Sequence, residues 1–156
     1  MALKILIAMD ESENAARAVQ FAAKSFAVTN QITLFSVMMD TATLCRMDSP
    51  ELTPLFKSQQ KNFCLLEAKK RELVELALQK AKDVLVEAGF APENIQVKIE
   101  NRQSGVARDI LNEAGKGYDV IVMGRRGVSG FREFLMGSVP QKVFSGAKDI
   151  SLLIVN

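Results

Sequence analysis

Histidine is absent from the 156 residues and cysteine occurs only twice. Without histidine there can be no Ser-His-Asp hydrolase, no HExxH zinc enzyme and no imidazole acid–base chemistry. A structural zinc site would also lack its ligands. Cys45 and Cys64 have no CxxC spacing and read as reduced thiols of a cytosolic protein. No apolar run approaches the roughly 20 residues of a membrane span. The N-terminal "ILIAM" is too short for the apolar core of a signal peptide, and acidic Asp10 and Glu11 follow it at once. Neither sign of charge dominates, with 20 Lys and Arg against 18 Asp and Glu. The net charge of +2 gives no field to attract nucleic acid or a membrane surface.

The apolar share is 48%, enough for a packed core, and the length suits a single domain spanning 1–156. "KILIAM" (Lys4 to Met9) reads as a strand buried on both faces. Ser12 is placed to cap a helix in which Ala15, Ala16, Val19, Ala22, Ala23 and Phe26 recur at helical spacing, to about Val28. "QITLFSV" (Gln31 to Val37) is a second strand. Met39 to Phe56 reads as a loop broken by Pro50 and Pro54. A long helix is expected over Lys57 to Ala88, with Phe63, Leu66, Leu73, Leu76, Ala77, Ala81, Val84 and Leu85 on its inner face. Lys69, Lys70 and Arg71 read as its solvated face. Gly89 is positioned to end it.

"NIQVKIE" (Asn94 to Glu100) is a third strand. Ser104 can cap a helix carrying Val106, Ile110, Leu111 and Ala114, which Gly115 and Gly117 terminate. "YDVIVM" is a fourth strand. A last helix from about Gly137 to Ser145 leads to a fifth, "LLIV" (Leu152 to Val155). This alternation predicts an α/β three-layer sandwich: a five-stranded parallel sheet in flavodoxin-like order 3-2-1-4-5, with helices on both faces. The order reverses between the first and fourth strands, and ligands of such sheets bind there, beyond the strand carboxyl ends. Those ends are Ala8-Met9-Asp10 and Met123-Gly124.

Glycine concentrates at this point, as Gly124, Gly127, Gly137 and then Ser138: the spacing G-x2-G-x9-G-S. Glycine admits positive φ and removes the Cβ that would keep a ligand from backbone N–H groups. Ser138 and Val139 would open a helix whose free N–H groups and dipole favour an anion. Arg125 and Arg126 are either solvated loop charges or phosphate contacts. Equally, the glycines could serve only to make turns. No G-x4-G-K-[ST] P-loop exists, and no G-x-G-x-x-G follows the first strand.

The glycine spacing after "IVMG", the opening "ILIAMDES" and "GSVPQKV" before a terminal apolar strand resemble the universal stress protein family, over nearly the whole chain. The resemblance implies ATP, with AMP or ADP as alternatives, held by Gly124, Gly127, Gly137 and Ser138, with Val139 adjoining. It matches Asp10 to the acidic residue beside ribose and adenine, and Val37 to the position whose backbone reads the adenine edge. Arg126 falls where a basic residue precedes the second glycine. Ala8, Met9 and Met123 complete the set at the strand ends. Mg2+ or Mn2+ would accompany the nucleotide, reached by Asp10 through water. A homodimer built on Leu152–Val155 is implied too, although Ile150-Ser151 stands where the family often has proline.

The function expected is a cytoplasmic, ATP-binding stress-response regulator, with no nucleic-acid or membrane partner. A slow ATP hydrolase or phosphotransferase is the enzymatic alternative, for which no convincing general base is visible. A nucleotide-free interaction module of the same fold is the third.

Overall fold

The computed structural model describes residues 1–126 and 136–156. Five strands, β1 (Lys4–Ala8), β2 (Gln31–Met38), β3 (Ile95–Asn101), β4 (Val120–Gly124) and β5 (Ser151–Val155), form one parallel sheet in the order β3-β2-β1-β4-β5. The expected topology is therefore the one observed. Side chains of β1 alternate between two cores. Ile5, Ile7 and Met9 pack with α1 (Glu13–Ser25) and α3 (Pro54–Glu87) on one face. Leu6 and Ala8 pack with α4 (Val106–Ala114) and α5 (Ser138–Gly146) on the other. Both faces being covered is why the central strands read as continuous apolar runs.

Local signals fix the helix ends. The Ser12 hydroxyl accepts the Ala15 N–H at 3.2 Å and starts α1. Gly89 follows α3 at φ +101°, a conformation that costs glycine nothing. Pro54 does not break a helix but begins one. It sits at the first turn of α3, where a missing N–H is harmless, and the Thr53 hydroxyl accepts the Phe56 N–H at 3.2 Å. At α4 the cap is Gly105, with φ +118°, and not Ser104. The backbone N–H groups of Gln103 and Ser104 donate instead to the buried carboxylate of Asp109, at 2.8 and 3.0 Å. An acidic side chain reaching back from the helix displaces the serine from the capping role.

Three further expectations are corrected. The stretch from Met39 to Phe56 is not wholly loop, because it holds a short helix, α2 (Ala42–Arg46). Cys45 on α2 and Cys64 on α3 are not separate thiols but a disulfide, with Cα atoms 5.9 Å apart. Gln60 tightens the same junction by donating to the carbonyls of Leu44 and Met47. The inner face of α3 also differs from the one expected. Val74, Leu78, Ala81 and Leu85 are its buried residues, whereas Leu66, Leu73 and Leu76 are exposed. The helix carries two apolar stripes, and only one meets the sheet.

A polar cluster ties β2, β3 and α4 together. Glu113, 1% exposed, accepts from Lys98 Nζ at 2.7 Å, Lys116 Nζ at 2.6 Å and the Tyr118 hydroxyl at 3.0 Å. Tyr118 also meets the Thr33 hydroxyl at 3.1 Å. Burial pushes the Glu113 carboxyl up, but hydrogen bonds from Lys116, Lys98 and Tyr118 outweigh it and hold the group below its ordinary value. The same hydrogen bond raises Lys98. The charge is buried yet fully paired, the condition under which it is tolerated.

Candidate nucleotide site

A cavity of about 300 Å3 opens where the sheet order reverses, at the carboxyl ends of β1 and β4. That is the lower end of the range for small-molecule sites. Ala8, Met9, Asp10, Val37, Met123, Gly124, Arg126, Ser138 and Val139 all line it. Residues 115 positions apart in sequence meet there because β1 and β4 are neighbours in register, Ile7 beside Val122.

The wall has an apolar part and a polar part. Phe35, Val37, Val106, Ile110 and Met123 supply the first. Asp10, Glu11, Arg126, Lys70 and Ser138 supply the second. Asp10 follows β1 and accepts the Ser12 N–H at 2.9 Å, which turns the chain into α1. It braces the helix entrance while the Ser12 hydroxyl performs the capping.

The start of α5 is built to present donors. Gly137 donates its own N–H to the Arg125 carbonyl at 2.8 Å, and its carbonyl accepts from Gln141 at 3.1 Å. Pro140 has no N–H, so the first turn offers the amides of Ser138 and Val139 and the Ser138 hydroxyl. Gly137 therefore stands behind the wall and not in it. A Cβ there would lie 3.4 Å from the Arg125 carbonyl oxygen and the Arg126 Cα, a close but ordinary van der Waals contact. Gly124 does have a reason to be glycine. A Cβ would come within 2.8 Å of the Asn14 backbone, where α1 crosses the end of β4. Neither residue has positive φ. Gly127 lies outside the described residues.

Two charged wall residues escaped the sequence reading, along with several apolar ones. Lys70 belongs to the stretch expected to be a solvated helix face, yet α3 passes close enough to the crevice to place it on the wall. Glu11 keeps Oε2 buried with no hydrogen-bond partner among the described residues. Its only sequence signal was adjacency to Asp10. Among the described residues no three His, Cys, Asp or Glu side chains gather as a metal site, so a cation here would depend on its ligand's oxygens.

Comparison with known proteins agrees with the fold. The family described as the universal stress protein family matches residues 1–156. YxiE, a universal stress protein of Bacillus subtilis (strain 168), is 42% identical over 67 residues. That match spans 42% of this chain and only 42% of the relative's own length. Among solved structures, hypothetical protein MJ0577 superposes with a TM-score of 0.69 at 24% identity, covering 99% of this chain and 96% of its own. UspA from Lactobacillus plantarum gives 0.68 at 19%, covering 99% and 97%. A universal stress protein in complex with cAMP gives 0.65 at 19%, covering 100% and 98%. At these identities the structures establish a shared fold.

Proposed function

The chain belongs to the universal stress protein family, and from that premise we propose that it is a cytoplasmic ATP-binding regulator, with its nucleotide in the crevice between β1 and β4. The observation that carries the reading is the composition of the cavity wall. Apolar side chains suited to a base share the wall with the carboxylates of Asp10 and Glu11, suited to sugar hydroxyls, with the cations Arg126 and Lys70, and with Ser138 and Val139 at the start of α5. Helix-start amides and cations together are what a polyphosphate requires. One protein of this fold was solved with cAMP, which favours a nucleotide over other anions.

The roles follow from position. Val37 presents backbone at the end of β2, where an adenine edge would be read. Asp10 faces the ribose and, through water, the Mg2+ or Mn2+ that accompanies ATP. Ser138, Val139 and Arg126 hold phosphates, and Lys70 adds a second cation. AMP or ADP would use the same base and ribose contacts with fewer phosphate ones.

Self-association through Leu152–Val155 is part of the proposal. β5 ends the sheet beside β4, and an edge strand of apolar residues pairs readily with a second copy. A cytoplasmic location rests on family membership, since the disulfide withdraws the argument from free thiols.

The experiment is chromatography of whatever small molecule a denatured, purified sample releases. An adenine nucleotide at near-stoichiometric yield is the expected result. Its absence, together with no binding of added nucleotide, would leave an interaction module of the same fold. A hydrolase would show ADP release that disappears in Asp10→Asn or Glu11→Gln.

A further inference from the structure

The Cys45–Cys64 disulfide lies apart from both cores. α2 buries no side chain, and α3 buries none before Val74. Breaking the bond therefore costs no core packing, and the dithiol form keeps the sheet and its helices. Cys45 is exposed and Cys64 half-buried. A surface depression of about 310 Å3, lined by Cys45, Gln60, Lys61, Cys64 and Leu65, gives a small molecule a path to the sulfurs. Lys61 is the one charged residue lining it among the described residues, three positions before Cys64 on the same side of α3. A cation there attracts an anionic thiol and favours Cys64 as a leaving thiolate. Exposed disulfides are the labile ones. In a cytoplasm, the location proposed above, those that form are mostly transient and redox-sensing.

The segment that the bond closes is rooted in the crevice wall at both ends. Val37 and Met38 line the crevice from β2, and Met38 precedes Cys45 by seven residues. Lys70 and Val74 line it from α3, and Lys70 follows Cys64 by six residues, about 9 Å along the helix. The bond thus ties the strand end where a base would be read to the helix that supplies a cation. Reduction leaves Gln60, through the Leu44 and Met47 carbonyls, and the exposed Lys57–Asp48 ion pair at 3.8 Å to hold this segment against α3. Such an exposed pair is worth little.

We propose that Cys45 and Cys64 form a reversible redox site for a small anionic thiol such as glutathione, and that the oxidised state holds nucleotide more tightly. The thiolate attacks exposed Cys45, the bond to Cys64 breaks, and Cys64 leaves as a thiolate that takes up a proton. A second thiol attacks the small-thiol sulfur of the mixed disulfide, releasing Cys45 and the disulfide of the two small thiols. Two small thiols are oxidised and one protein disulfide is reduced. The redox site stands without the nucleotide reading, whereas the coupling rests on it. By linkage, a nucleotide that prefers the oxidised form shifts the thiol equilibrium toward the disulfide by the same factor.

The test equilibrates the full chain anaerobically with mixtures of reduced and oxidised glutathione, with and without saturating Mg-ATP. Free thiols are counted after acid quenching, two per chain at most. The expected result is a mixture of dithiol and disulfide forms that follows the glutathione ratio, with an unchanged circular dichroism spectrum. Added ATP should move the equilibrium about five- to tenfold toward the disulfide, the low end of coupling between sites. A disulfide that persists under a large excess of reduced glutathione, or thiols that persist under the oxidised form, would overturn the redox site. Calorimetry with Mg-ATP separates the two claims. A wild type that binds no ATP in either state removes the nucleotide reading and the coupling with it, while the thiol counts still decide the redox site. Cys45→Ser/Cys64→Ser should bind ATP as the reduced protein does, with no response to glutathione. Equal ATP affinity in oxidised, reduced and double-serine proteins would overturn the coupling.

Discussion

Reducing the Cys45–Cys64 bond should open α2 without unfolding the domain. The bond closes a loop of sequence separation 19. In the chain-entropy account a loop of this size is worth roughly 3 kcal/mol. Where that energy acts depends on what the loop contains. Neither α2 nor the part of α3 before Val74 contributes a buried side chain, so this region can detach while both cores stay intact. Reduction should therefore lower local protection and leave global stability nearly unchanged. About 3 kcal/mol corresponds to roughly a hundredfold increase in amide exchange, at 1.4 kcal/mol per decade. The carbonyls of Leu44 and Met47 keep their bonds to Gln60, which retain part of the closed population. Hydrogen exchange with and without reductant is the assay, read over residues 41–64 against β1 and β4 as controls. Equal exchange of α2 in the two states would refute the local account. A parallel rise in the β1 and β4 amides would show that the bond supports the whole fold.

The remaining predictions concern the interior and the crevice wall. Glu113 has a depressed folded pKa, so its contribution is fully present above the ordinary carboxylate value of 4.5 and is lost as pH falls through the lower folded value. Lys98, raised, contributes below its ordinary 10.5 and loses that contribution as pH rises through the folded value. Glu113→Gln should cost about 1–3 kcal/mol at neutral pH, less than a fully buried pair because both lysines reach solvent, and should flatten the acid limb of a denaturation profile. A profile identical to wild type below pH 5 would remove Glu113 as its cause. Gly124→Ala forces a Cβ against the Asn14 backbone and should cost about 1–3 kcal/mol, seen as a melting temperature lowered by about 2–10 °C. Gly137→Ala, with 3.4 Å contacts, should cost less, and the reverse order would contradict the packing account.

The sheet order was legible because strand and helix periodicities alternate without ambiguity and a doubly covered sheet admits few topologies. The location of the site followed from that order. Part of its wall followed too, since Asp10, Val37, Arg126 and Ser138 sit at strand and helix ends whose placement topology dictates. What stayed hidden depends on tertiary geometry. Leu66, Leu73 and Leu76 share helical spacing with a core face, and periodicity cannot say which of two stripes meets the sheet. Lys70 looks like any solvated lysine until the path of α3 is known. Pro54 reads equally as a breaker and as a first-turn residue. The disulfide needed α2 to exist, and a five-residue helix leaves almost no periodic signal. Gly124 has a reason that its spacing did not show, since a Cβ there would press on the Asn14 backbone.

The most direct test of the nucleotide site is calorimetric titration of the apo protein with Mg-ATP, comparing wild type with Val106→Trp and Ser138→Ala. Val106 is half-buried on the apolar wall and packs against the edge of the second core, so a folded tryptophan variant places added bulk in the crevice. Ser138→Ala removes one hydroxyl donor to a charged oxygen, worth about 1–3 kcal/mol. The expected result is one site per chain in wild type, affinity weakened roughly ten- to a hundredfold by Ser138→Ala, and no measurable binding to folded Val106→Trp. Wild-type affinity in a folded Val106→Trp protein, or no heat of binding in the wild type, would contradict a nucleotide site between β1 and β4.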